Sequence, residues 1–376
     1  MNTKWIPREG AASTPTSVGD YRPIVAQVLG SRAWLKIADQ LLNPRLDQIT
    51  DPSQILGMNA AVERVGEAVA SGECIAVYGD YDIDGMSGLS LLSSFFKACG
   101  AADVLHYQPQ RLSEGYGVHP AALDELKNRG ARVVVTVDTG ITACAAAARA
   151  KEIGLDLVIT DHHQPLEEMP QTPWIVNPNQ RGDSSGLGYL SGTGVAFYFC
   201  MALRRYLRDK GHFTNGQIKE PDLRYWLDLF ALGTVADHVP LVGDNRNLVR
   251  VGLGLLRRSH RPGLRALIDE ILPDSEQSLS ARDIAFSIAP KLNAASRLGF
   301  ADLSTKLLLS TDHVEAEDIV IKLFELNAQR SEIQKKVFAE AEAQARELLE
   351  KEDQQILVLA GHWHEGVLGI VAAKII

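Results

Sequence analysis

Cysteine is scarce in this sequence, with four in 376 residues. Cys74, Cys99, Cys144 and Cys200 lie far apart in apolar or small-residue stretches, and no CxxC pair occurs. Such thiols read as buried and reduced, which argues against a disulfide framework or a zinc site. Long apolar runs are missing too. No stretch approaches the roughly 20 residues a membrane span requires, so no membrane partner is expected. The N-terminus MNTKWIPREG lacks the basic-then-apolar order of a signal peptide, which makes the cytoplasm the expected compartment. Nor is there a surplus of positive charge. Thirty-eight Lys+Arg stand against 47 Asp+Glu, a net −9 that is unpromising for a protein handling nucleic acid. Low-complexity tracts and repeats at solenoid periods are also absent.

What is present is ordinary globular chain. Hydrophobic residues at 45% and charged residues at 23% exclude wholesale disorder and a fibrous repeat. The length leaves room for two or three domains. Residues 1–55 mix Pro, Gly and Ser with short apolar runs and read as a small helical preface. Residues 56–315 form the expected main domain. Within it, a helical pattern from Ala61 to Val69 stops at Ser71-Gly72. Then CIAVY (74–78), ADVLHYQP (102–109), RVVVTV (132–137) and LDLVIT (155–160) alternate with helical stretches of 10–15 residues. Short buried strands alternating with helices predict an α/β fold, a doubly wound and mainly parallel sheet. Residues 190–310 read as a mostly helical extension. Residues 316–350 read as one long amphipathic connecting helix, with Val320/Phe324 and Ile333/Val337 at i,i+4 spacing. In 351–376, QQILVLAG predicts a strand opening a second α/β domain. The pattern breaks off at Lys374-Ile375-Ile376, as expected of a fragment.

The carboxylates cluster where those strands end. CIAVY is followed by Gly79-Asp80-Tyr81-Asp82-Ile83-Asp84-Gly85, RVVVTV by Asp138-Thr139-Gly140, and LDLVIT by Asp161-His162-His163. In an open α/β sheet, ligands bind outside the carboxyl ends of the strands. Like charges converging there repel and raise each other's pKa unless a cation neutralises them. The competing reading is three helix N-caps after three strands. Carboxylate oxygen with imidazole and no thiolate suits manganese or magnesium better than zinc or iron. Several bridging aspartates suggest two ions about 3.5–4 Å apart, the arrangement that activates water and clamps a phosphoryl group. Farther on, Gly233-Thr234-Val235-Ala236-Asp237-His238 follows an apolar run and offers Asp237 as a fourth corner.

In that order, VYGDYDIDG, VDTG, TDHH and GTVADHVPL resemble the four motifs of the DHH phosphoesterase superfamily. MNAAVERVGEAVASGE, RLSEGYG, PKLNAASRLG and GHWHEGVLGIVAAKI resemble its single-strand-specific 5′→3′ exonuclease branch. The similarity runs from about residue 50 to the end. The resemblance implies that Asp82 holds one metal and Asp84 the other, with Asp138 bridging. His162 and Asp237 would complete the Asp84 site, and Asp80 would assist the Asp82 site. Asp161 would orient a neighbouring imidazole, and His163 would face the scissile phosphate. The implied nucleophile is a metal-bound hydroxide, formed with two Mn2+ or Mg2+ ions. One position departs from the pyrophosphatase branch, which has a histidine where this chain has Tyr78. Exonuclease-branch members often lack it as well, so the change favours that branch and leaves the grip on the Asp82-side metal in question.

For the nucleic acid, the resemblance assigns Arg111 and Arg297 to the 5′-terminal phosphate, with Asn293 in the same block; guanidinium forks suit phosphate oxygens. Surface ion pairs are the competing reading. Lys374 falls where many relatives carry an arginine and would act as a point charge. Trp363 would either stack on a base or fill a small core. Between Met201 and Arg265, 12 Lys+Arg face 6 Asp+Glu. Arg204, Arg205, Arg208, Arg257, Arg258, Arg261 and Arg265 form two basic clusters, read either as solvated helix faces or as a DNA-tracking groove. The function so implied is metal-dependent 5′→3′ hydrolysis of single-stranded DNA in repair and recombination. Single-strand-binding protein and a helicase are candidate partners. The alternatives are a DHH phosphodiesterase of short oligonucleotides or cyclic dinucleotides, and a non-catalytic Cdc45-like scaffold.

Overall fold

The computed structural model describes residues 22–43, 45–214, 216–274, 276–351 and 356–375. The first 21 residues of the expected preface, and residues 354–355 of QQILVLAG, lie outside them. The chain divides into two units, Met1–Ile49 and Thr50–Ile376. In the first, the described residues form α1 (Pro23–Ser31) and the short α2 (Ala38–Leu42). Pro23 starts α1, where its missing N–H costs no helical bond.

The second unit opens with α3 (Met58–Ser71). Its apolar positions Met58, Ala61, Val62, Val65 and Val69 recur on one face and are buried, and the helix stops at Gly72. The sheet follows. β1 (Ile75–Gly79), β2 (Val104–Tyr107), β3 (Val133–Val137), β4 (Asp156–Thr160) and a two-residue β5 (Ile175–Val176) are all parallel. Their spatial order is β2-β1-β3-β4-β5. Between them run α4 (Ile83–Ala98), α5 (Pro120–Asn128) and α6 (Cys144–Glu152). β1 and β3 are buried along their whole length, which is why they read as unbroken apolar runs and do not alternate. One face of the sheet packs Ala76, Tyr78, Val134, Leu157 and Ile159 against α5 and α6. The other face is covered by α4 and by α7 (Gly192–Asp209). The doubly wound α/β expectation is met.

The remainder is helical, as expected for 190–310: α8 (Leu227–Ala236), α9 (Gly243–Arg257) and α10 (Pro262–Ile271), followed by the single turn α11 (Ala281–Asp283). A wide π turn at Ile284–Ile288 leads into α12 (Ala289–Arg297), which carries Pro290 in its first turn. Then come α13 (Ala301–Leu309) and α14 (His313–Lys351), whose 39 residues span about 58 Å at 1.5 Å each. α15 (Glu365–Ile375) packs Val367 and Val371 onto Val337 and Ala341 of α14.

One expected strand does not form. Residues 356–361 of QQILVLAG are irregular, with Ile356 79% and Val358 82% exposed. A strand needs a neighbour for its amides and carbonyls, and no described strand pairs with this segment. The cysteines are free, as read, but only Cys99 and Cys200 are buried; Cys74 and Cys144 are half-buried.

Candidate active site

The sheet register sets the site. Gly79 pairs with Val137, and Val137 with Thr160, so the last residues of β1, β3 and β4 lie in one row. Asp80, Asp138 and Asp161 come next in each chain segment and therefore line the same edge. The chain turns outward in opposite senses after β1 and β3, the switch point at which open α/β sheets bind ligands. Asp82 accepts from the amide of Gly85 (3.1 Å) and caps α4, so the N-cap reading holds for this one aspartate. Asp138 caps nothing and sits at φ +61°, a conformation costly for a non-glycine residue.

Asp84, in the first turn of α4, is fully buried. Its carboxylate accepts from the amides of Gly192 (2.6 Å) and Thr193 (3.0 Å), at the positive end of α7. Asp237 follows α8 and reaches the same place. His162 Nε2 lies 3.1 Å from Asp138 Oδ1, 3.7 Å from Asp237 Oδ2 and 4.0 Å from Asp84 Oδ2. Three groups of ligand atoms are close enough to share an ion: Asp84/His162/Asp237, Asp80/Asp82/Asp138 and Asp138/His162/His163.

Their electrostatics fit a cation. Burial, then the charges of Asp84, Asp82 and Asp80, push the Asp138 carboxyl well above the usual range. Burial and Asp82 raise Asp80 to about 7; burial and Asp84 raise Asp237 to about 8. Asp82 is raised by burial and Asp84. Asp80 Oδ1, Asp138 Oδ1, Asp237 Oδ2 and His162 Nε2 are buried without a hydrogen-bond partner. Unpartnered buried carboxylate oxygens facing an imidazole nitrogen are costly unless something positive sits among them.

Asp161 behaves differently. Burial works to raise it, but His163 outweighs that and holds the carboxyl below its ordinary value. Its Oδ1 accepts from His163 Nδ1 (2.7 Å) and from the His162 amide (2.7 Å), and its Oδ2 accepts from the Ile141 amide (2.9 Å). The imidazole it orients is therefore that of His163.

The carboxylates open into a polar cavity of about 340 Å3. Arg111, Asn293, Arg297 and His163 line it together with Asp80, Asp82, Asp138 and Asp237. The Arg111 guanidinium rests on the Tyr81 ring, 4.7 Å from its centroid. Arg297 donates to the Gly366 carbonyl (3.0 Å). Burial and the nearby Arg111 lower its pKa to about 10. Among the described residues neither arginine has a carboxylate within ion-pair distance, so the surface-pair reading fails for both. Asn293 Oδ1 is buried without a partner.

Other expected residues lie elsewhere. Trp363 does not line the cavity; its indole donates to Glu340 (2.9 Å) and its ring packs with Val337, Val367 and Val371. Lys374 is exposed on α15, also away from the cavity wall. Six of the seven arginines in the two basic clusters have a carboxylate within ion-pair distance, four carboxylates in all. Arg205 pairs with Asp51, Arg204 and Arg208 with Glu220, Arg257 and Arg265 with Asp269, and Arg261 with buried Asp228. Arg205, Arg208 and Arg265 stay partly exposed, as solvated helix faces would be.

Some site residues carry no motif signal. Asn177 donates to the His163 carbonyl (2.9 Å) and Asn179 to the His162 carbonyl (2.6 Å). They follow β5, too short to read as a strand, and only the row of strand ends would have pointed to them. Tyr116 also lines the cavity, and it does lie within a motif, RLSEGYG, in which Arg111 alone carries an expected role.

A buried Asp/His constellation at the switch point of a parallel sheet, beside two unpaired guanidiniums, resembles the site of a metal-dependent phosphoesterase. Residues 74–234 match the N-terminal domain of the DHH family. The single-stranded-DNA-specific exonuclease RecJ of Salmonella typhimurium is 38% identical over 98% of this chain, which spans 64% of that protein. A solved structure of exonuclease RecJ bound to manganese superposes with a TM-score of 0.72 at 36% identity, over 85% of this chain and 77% of the other. RecJ of Thermus thermophilus in complex with Mn2+ gives 0.75 at 32% identity, over 94% of this chain and 48% of the other. The chain belongs to the RecJ family of DHH exonucleases. Among the described residues, no helix is long and apolar enough to cross a membrane.

Proposed function

We propose that this chain is the catalytic part of a metal-dependent exonuclease that hydrolyses single-stranded DNA from its 5′ end. The observation that carries the proposal is one cavity lined both by Asp80, Asp82, Asp138 and Asp237, members of the grouped metal-donor sets, and by two unpaired arginines. Asp84, His162 and Asp237 would hold one divalent ion, Asp80 and Asp82 the other, with Asp138 shared. Such ions, Mn2+ or Mg2+ as in the RecJ structures, would supply the positive charge that acidifies an attacking water and offsets charge building on the phosphate.

The chain's own side chains do the rest. Asp161 holds His163 with Nδ1 protonated and the ring's other nitrogen free for the cavity. His163 would there stabilise charge developing on the scissile phosphate. Arg111 and Arg297 would take the terminal phosphate, fixing which bond reaches the carboxylates and giving the 5′ polarity. Intact donor groups favour this over a non-catalytic scaffold. A substrate that must be single-stranded also calls for a helicase and a strand-coating protein as partners, in the cytoplasm where repair and recombination would take place.

The test compares Mn2+-loaded protein on a long 5′-phosphorylated single strand, its duplex and a dinucleotide. Cleavage of the long strand from its 5′ end is expected, abolished in Asp138→Ala with the melting transition kept. Preference for the dinucleotide would move the chain to the short-oligonucleotide phosphodiesterases, and activity persisting in Asp138→Ala would sink the metal assignment.

A further inference from the structure

Besides Arg111, the loop between β2 and α5 brings a second residue into the site, Tyr116. Its hydroxyl lies 3.2 Å from His163 Nδ1 and 3.4 Å from the backbone oxygen of Asp138. The ring meets the His163 ring edge-on, with centroids 5.6 Å apart. With the Nδ1 proton directed to Asp161 and shared with the phenol, the phenol's own proton is free for the Asp138 carbonyl.

The backbone around Tyr116 is shaped for this. Gly115 and Gly117 flank it at φ +79° and +112°, a region that favours glycine. A β-carbon on either would meet nothing within 4 Å, so these glycines serve the direction of the chain and not close packing. The Gly117 carbonyl is held in turn. Tyr78, fully buried and stacked on Tyr107, donates its hydroxyl to it (2.9 Å). Arg111 sits on the same loop, five residues before Tyr116.

We infer that Tyr116 is a positioning residue for His163 and Asp138, and that Tyr78 acts through it by fixing the loop at Gly117. Tyr78 occupies the place of a histidine in the pyrophosphatase branch; here the phenol is spent on the Gly117 carbonyl and braces the loop that carries Arg111. A strand end on Arg111 is thereby tied mechanically to the His163 ring.

The inference rests on the exonuclease reading, and two variants lacking only a hydroxyl test it. In Tyr116→Phe, kcat on a 5′-phosphorylated single strand should fall roughly five- to tenfold, the worth of one hydrogen bond, with KM within about twofold. Tyr78→Phe, out of reach of any substrate, should lower kcat in the same sense. The double variant should be no slower than Tyr116→Phe, because both act on one contact. A second reading needs no activity: in protein labelled at the histidine rings, Tyr116→Phe should shift the His163 nitrogen signals and leave those of His162 in place. A change in KM alone, an unchanged kcat in Tyr78→Phe, or unmoved His163 signals would overturn the inference. If the intact protein cleaves no single strand, the exonuclease reading fails, and the ring signals still decide the Tyr116 contact.

Discussion

Gly192 lies directly against Asp138. A β-carbon at Gly192 would overlap the Asp138 β-carbon and come within 2.7 Å of its α-carbon. The same Gly192 gives its amide to Asp84 (2.6 Å), so one residue fits two aspartates of the site together. Asp138 stands at φ +61° and has no room to yield.

Gly192→Ala is accordingly expected to destabilise the fold by about 1–3 kcal/mol, the usual range for overpacking. The gain of alanine over glycine in a helix, about 1 kcal/mol, offsets part of this. Sterics win because the clash is with backbone and β-carbon and not with a flexible tip. Chemical denaturation measures the loss, and manganese-dependent hydrolysis should fall with it. An alanine variant as stable and active as the parent would show that the contact relaxes freely.

The carboxylates make a prediction about pH. In the metal-free protein Asp80 is raised to about 7 and Asp237 to about 8, against an ordinary 3.8. Between those values the fold keeps protons that the unfolded chain has released. Stability of the metal-free protein therefore falls as pH rises from about 4 to 8. His163, raised chiefly by its bond to Asp161, contributes with the same sign, since its stabilisation is lost as pH climbs through the folded value. Manganese must displace those protons at pH 6 but not at 8.5. At one fixed Mn2+ concentration the stabilisation, read as a rise in melting temperature, should thus be larger at 8.5, about 2.7 kcal/mol per site where that concentration is a hundredfold above Kd. Equal gains at the two pH values would refute the assignment of these carboxylates to the ion.

Much of this site is legible in the sequence because strand and ligand are neighbours there. Asp138 and Asp161 follow an apolar run directly and Asp80 follows one after a single glycine, so the pattern that finds the strand also finds the carboxylate. Asp237 needed the fold, since only the packing of α8 against α4 brings it to His162. Tyr116, Asn177 and Asn179 act through a hydroxyl and two side-chain amides placed by loops, and loops have no period to read. The basic clusters are legible only as a count, because charge summed along the chain does not say which carboxylate lies against which arginine, as Asp228 does against Arg261 and Glu220 against Arg204. QQILVLAG has the composition of a strand, but composition cannot supply a partner strand.

The two cavity arginines lead to the remaining prediction. Arg111 is held on an aromatic face and Arg297 by a single carbonyl, so both guanidiniums keep donors unspent toward the cavity. Burial, and then the like charge of Arg111, lower the pKa of Arg297, and a bound phosphate would offset both. Removing the 5′ phosphate from a single strand should therefore slow the intact protein by about 10- to 100-fold, the range for a lost charged hydrogen bond. Arg111→Ala and Arg297→Ala should each erase most of that difference. Arg297→Lys, with the charge but not the fork, should keep part of it. Because Arg297 also ties α12 to Gly366 of α15, its alanine variant can lose rate by loosening that contact. Arg111→Ala carries no such ambiguity and is the stricter test. Equal rates of the intact protein on phosphorylated and unphosphorylated ends would remove the anchoring role from both arginines.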